Sequence, residues 1–141
     1  QPMSAALELL AALEKELSID PHRRLVAGMS MGGFGAWDAI LRYPDRFAGA
    51  MPVCGGGDPT QAAAARSVPV WAFHGAKDDV VPVSASRLMV KALKKAGGRV
   101  RYTEYAGVGH NAWDRAFADR RAVTWLLDQR QSERPTTGGS P

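Results

Sequence analysis

Leucines at positions 7, 10, 13 and 17 recur at three- and four-residue spacing on an Ala/Glu-rich background, which predicts a helix over residues 3–17. Asp20-Pro21 closes it, because the residue before a proline is pushed out of the helical region. Residues 25–28 (Leu-Val-Ala-Gly) are a short apolar run ending in glycine, as in a buried parallel strand. A helix follows over 31–43, stopped by Pro44. Residues 49–53 are a second apolar run, closed by Gly55-Gly56-Gly57. Residues 58–67 predict a loop with a short Ala-rich helical turn, and 68–73 a third strand rich in Val and aromatics. Ala85, Leu88, Met89, Ala92, Leu93 and Ala96 stripe a helix over 83–96, capped by Gly97-Gly98. Residues 99–105 read as a fourth strand. Residues 114–130 read as a last helix with Phe117, Val123, Leu126 and Leu127 inward.

Strands alternating with helices predict an α/β fold of about four mainly parallel strands covered by helices on both faces. In such sheets reactive groups sit in loops at the carboxyl ends of strands. One domain is expected over 1–131, and the polar, Pro/Gly-rich residues 132–141 are expected to be a disordered tail.

Composition narrows the function classes. The chain has 141 residues, 45% hydrophobic and 23% charged, and is long enough to bury a substantial core. No apolar stretch approaches the length of a membrane span. A net charge of +4 is spread over pairs such as Arg23-Arg24, Lys94-Lys95 and Arg120-Arg121. A nucleic-acid binder would gather them in one stripe with aromatics between. Cys54 is the one cysteine, so no internal disulfide forms, and its apolar neighbours predict a small buried side chain. No signal peptide is visible; a start at Gln1 suggests processing or trimming, which leaves the compartment open.

Three segments carry candidate chemistry. Gly28-Met29-Ser30-Met31-Gly32 fits the G-x-S-x-G nucleophile elbow between a strand and a helix. There the Ser30 hydroxyl is lifted clear of the sheet, and the Met31 N–H at the helix N-terminus can stabilise an oxyanion. A glycine-rich turn with a capping serine is the competing reading. His74-Gly75-Ala76-Lys77-Asp78-Asp79 ends a strand in a turn that presents a carboxylate. Asp78 is the first choice for an acid that orients a histidine and Asp79 the second, while both also suit a plain turn. His74 is expected to pack behind the site. Gly107-Val108-Gly109-His110 places a histidine in a glycine-bracketed loop before a helix, suited to general-base work. His22 sits beside two arginines and reads as a surface residue, and Trp113 as a core residue. The order Ser30, Asp78, His110 is that of α/β-hydrolases.

These segments, with Tyr43-Pro44-Asp45-Arg46-Phe47, Pro52-Val53-Cys54-Gly55-Gly56 and Gly109-His110-Asn111-Ala112-Trp113-Asp114, resemble the C-terminal half of an α/β-hydrolase. They most resemble the bacterial carboxylesterases of the branch that includes polyhydroxybutyrate-depolymerase-like, feruloyl-esterase-like and prolyl-oligopeptidase-like enzymes. The resemblance implies a catalytic triad of Ser30, Asp78 and His110, the acid standing four residues after the histidine of the His-Gly pair. It implies a carboxylesterase acting on ester substrates, short-chain ones first, with no metal or organic cofactor. A peptidase-type serine hydrolase of the same fold is one alternative. A catalytically negligible truncated hydrolase is the other. The family's early strands, and the loop that supplies a second oxyanion N–H, have no counterpart here; one missing donor costs on the order of 100- to 1000-fold in turnover. The first strand would then be an open sheet edge, and a homodimer or larger assembly through it is expected.

Overall fold

The computed structural model describes residues 2–132. The expected tail at 132–141 therefore lies outside the described residues, apart from Ser132. Four strands, β1 (Leu25–Met29), β2 (Gly49–Val53), β3 (Val70–Gly75) and β4 (Val100–Tyr105), form one parallel sheet in the order β1-β2-β3-β4. The helices are α1 (Pro2–Glu16), α2 (Met31–Arg42), α3 (Ser84–Lys95), α4 (Trp113–Ala118) and α5 (Arg120–Leu127). A 3-10 turn at Pro59–Ala65 links β2 to β3, its Thr60 N–H capped by the Asp58 carboxylate.

The strand order determines which face each helix covers. Parallel crossovers are right-handed, so consecutive strands laid down in one direction put all their connections on one side. Helices α2 and α3 and the 3-10 turn accordingly share a face. Period-two alternation divides the strand side chains between two cores. Ala50, Val70 and Ala72 join Trp37, Ile40, Met89 and Leu93 on the α2/α3 face. Met51, Val53 and Phe73 face the other way, onto Ala112, Ala116, Ala122 and Leu126 from α4, α5 and the turn before them. Pro52 brings no N–H to the central strand β2. Its ladder with β3 pairs only at Ala50 with Val70 and at Val53 with Phe73.

Two expectations need correction. The single helix over 114–130 is two helices, because Asp119 leaves helical geometry (φ −74°, ψ 101°) and its carboxylate caps the Arg121 N–H that begins α5. Phe117 and Leu127 are exposed, while Ala116, Ala122 and Leu126 are buried. The buried stripe of α3 is Ser86, Met89, Val90 and Leu93, and Leu88 is 53% exposed. Helix α1 buries no residue; only Met3 and Leu7 pack against the core, and Leu9, Leu13 and Leu17 are exposed. Among the described residues no helix is long and apolar enough to cross a membrane.

Candidate active site

The parallel register brings the carboxyl ends of β1, β2 and β3 side by side, with Met29 opposite Val53 and Val53 opposite Phe73. Ser30 follows β1 in the left-handed region (φ 53°, ψ −119°). Such a conformation costs a non-glycine residue about 1–3 kcal/mol and persists only where its surroundings over-determine it. Two hydrogen bonds do so here: Ser30 N–H donates to Val53 O (2.9 Å), and Phe34 N–H donates to Ser30 O (3.1 Å). The turn also needs Gly28, where a Cβ would stand 2.1 Å from Gly32 O. Gly32 has open space around its own Cβ position, so in this elbow Gly28 is the sterically required glycine. Met31 N–H opens α2 and has no acceptor among the described residues.

Asp78 lies in the turn after β3, its side chain fully buried. Its Oδ1 accepts from the Val80 and Val81 N–H groups, both at 2.9 Å. Its Oδ2 lies 2.8 Å from His110 Nδ1. Burial works against ionisation of this carboxyl. The hydrogen bonds from His110, Val81 and Val80 outweigh it, and the pKa lies below the ordinary aspartate value. Asp79, the second candidate acid, is exposed and makes none of these contacts.

His110 reaches the site from the loop after β4. Its backbone is held by Cys54, whose thiol donates to His110 O (3.2 Å). Its ring meets Trp113 edge-on at 5.1 Å. Trp113 thus packs both against the α4/α5 core and against this histidine. Nε2 of His110 lies 2.8 Å from Ser30 Oγ. Asp78 Oδ2 can only accept, so Nδ1 carries the hydrogen, Nε2 is left as an acceptor, and the Ser30 hydroxyl donates to it. Ser30, His110 and Asp78 are therefore joined in one line of hydrogen bonds, with Met31 N–H at the nucleophile end. That line can deprotonate Ser30 as it attacks an electrophilic carbon.

Two residues in this neighbourhood carry more than the sequence suggested. Cys54 is buried as expected, but it also holds His110 and itself sits at φ 50°. Ser86 is a hydroxyl in a buried slot of α3. The spacing 86, 89, 90, 93 was the available signal, since it is a helical stripe with one polar member. Cys54, His74 and Asp78 offer ligand atoms within 4.8 Å of one another. Each of these atoms is already engaged by protein partners, and burial pushes the Cys54 thiol up to about 11. A metal ion there would have to displace the hydrogen bonds that orient Asp78 and His110.

The profile of the Phospholipase/Carboxylesterase family matches residues 3–124. The chain belongs to the phospholipase/carboxylesterase family. A thermostable esterase of known crystal structure superimposes with a TM-score of 0.90 at 39% identity, over 92% of this chain and 37% of the esterase. Acyl-protein thioesterase 1 of Gibberella zeae is 30% identical over 70% of this chain and 46% of its own length. A probable carboxylesterase of Oryza sativa subsp. japonica is 29% identical over 77% of this chain and 44% of its own length. The chain thus spans less than half the length of these relatives.

Proposed function

We propose that this chain carries the catalytic centre of a serine carboxylesterase that hydrolyses short-chain carboxylic esters through an acyl-enzyme, with Ser30, His110 and Asp78 as its triad. The observation that supports this most is the pair of 2.8 Å contacts, Ser30 Oγ to His110 Nε2 and His110 Nδ1 to Asp78 Oδ2. Family membership and the esterase relatives support the choice of ester substrates.

The chemistry follows from those contacts. His110 Nε2 takes the Ser30 proton as Oγ bonds to the ester carbonyl carbon. The carbonyl oxygen becomes an oxyanion that accepts from Met31 N–H. His110 passes the proton to the alkoxide as the C–O bond breaks, and the alcohol leaves. A water then loses a proton to His110, attacks the acyl-enzyme, and the carboxylic acid departs as Ser30 recovers its proton. Asp78 keeps the imidazole in the Nδ1–H tautomer and stabilises the imidazolium formed in each half-reaction.

In this proposal the exposed edge β1 also serves association. Met29 at its end, and Met31 and Phe34 in the first turn of α2, are 48%, 84% and 41% exposed. Apolar side chains next to an unpaired strand edge suit pairing with a second copy. Light scattering is expected to give a dimer or larger assembly, and a uniform monomer refutes it.

The test of the activity is hydrolysis of p-nitrophenyl acetate and butyrate by wild type and Ser30→Ala. Loss of turnover in the variant supports the reading. Equal rates in both proteins contradict it.

A further inference from the structure

Beneath the proposed triad lies a second histidine that the hydrolytic steps do not use. His74, in β3, is fully buried. Its Nε2 lies 3.0 Å from Val81 O and 3.1 Å from Asp78 Oδ2. Both oxygens can only accept, so Nε2 must carry a hydrogen directed between them. Its Nδ1 lies 2.8 Å from Ser86 Oγ, and Ser86 Oγ lies 2.9 Å from Gly55 O.

We propose that His74 is a positioning residue for the acid: its Nε2–H gives Asp78 Oδ2 a second donor beside His110, and Ser86 of α3 fixes the His74 ring. The reading rests on Asp78 being the triad acid. Val80 and Val81 N–H hold the carboxylate at Oδ1, and at Oδ2 it meets His110, the ring it is meant to orient. With His74, both oxygens have a protein donor other than His110. Oδ2 then stays in line with His110 Nδ1 while His110 gains and loses its proton. Ser86 lies against the other end of the ring: its one hydroxyl hydrogen is shared between His74 Nδ1 and the carbonyl of Gly55, two residues past β2 and beside the nucleophile turn. The chain of contacts thus runs from α3 through β3 to the acid, and none of its members touches substrate.

The side chains of Gln and Asn separate this role from mere packing. A Gln amide nitrogen reaches the place of His Nε2, whereas an Asn amide nitrogen reaches only that of Nδ1. The His74→Gln variant is therefore expected to stay within about 5-fold of wild-type kcat. His74→Asn is expected to fall by about 10- to 100-fold in kcat with KM nearly unchanged. The second readout needs no turnover: the downfield NMR signal of the His110 Nδ1–H proton, assigned by its absence in His110→Ala. It is expected to persist in His74→Gln and to shift or broaden in His74→Asn. Equal behaviour of the two variants in this signal, with both folded by circular dichroism, overturns the proposal. Should either variant fail to fold, Ser86→Ala replaces it, with a partial shift of the same signal expected and an unmoved signal counting against the proposal. If Ser30→Ala leaves hydrolysis unchanged, the esterase reading fails while the NMR comparison still decides the role of His74.

Discussion

Replacing Gly75 by alanine puts one methyl group where the histidine loop crosses the end of β3. A Cβ there would lie 2.1 Å from Gly109 O and 2.4 Å from Val108 O, both backbone atoms. Ordinary contact begins near 3.4 Å, so the shorter approach falls short by about 1.3 Å. Strand β3 is paired on both sides and cannot yield, whereas the loop carries His110 one residue beyond Gly109. The loop is expected to retreat by about 1 Å, lengthening the 2.8 Å contact of His110 Nε2 to Ser30 Oγ beyond hydrogen-bond range. A misplacement of about 1 Å at reacting atoms costs on the order of 100-fold. The assay is p-nitrophenyl butyrate turnover together with the rate of inactivation by a fluorophosphonate, both expected to fall about 100-fold in Gly75→Ala. Gly35→Ala is the control. Its Cβ position is open, it lies inside α2, and the change is expected to leave both rates unaltered while stabilising the fold by about 0.5–1 kcal/mol. A folded Gly75→Ala protein within about 3-fold of wild type in both rates would refute the assignment of His110 as base.

Two further outcomes follow from the electrostatics. Asp78→Asn is expected to cut turnover by about 1000-fold or more, because an amide can present its N–H to Nδ1 and favour the wrong tautomer, while Asp79→Asn stays near wild type; paired kinetics on the two variants decide this. Glu104 accepts hydrogen bonds from Arg87 and Tyr102, which hold its pKa at about 2 against an ordinary 4.5. A depressed carboxylate pKa gives stability that is fully present above the unfolded value and lost as pH falls through the folded one. Urea unfolding should therefore find Glu104→Gln less stable than wild type at neutral pH, with the gap closing between about pH 4.5 and pH 2.

How much could be read from the sequence depended on whether the signal was local. The strand at Gly49–Val53 was legible to the residue, since five apolar positions stand between a proline-led turn and three glycines. The break between α4 and α5 was not, because Val123, Leu126 and Leu127 keep helical spacing, the Asp119 cap is a single residue, and the one sign of it, Phe117 standing six residues before Val123 and so off their face, is weak. The nucleophile turn was legible because Gly28 is sterically required there. The choice between Asp78 and Asp79 was not local: it depends on Val80 and Val81 N–H drawing one carboxylate inward. Ser86 and His74 meet only through the packing of α3 against β3, so their link lay outside any sequence spacing.

The central claim is that Ser30 is a nucleophile activated by the His110–Asp78 pair. Incubation with a fluorophosphonate, proteolysis and mass spectrometry test it directly. A single adduct on the peptide spanning Ser30, absent from His110→Ala under the same conditions, is the result predicted. No adduct on a folded chain, or one that forms equally fast without His110, would contradict it.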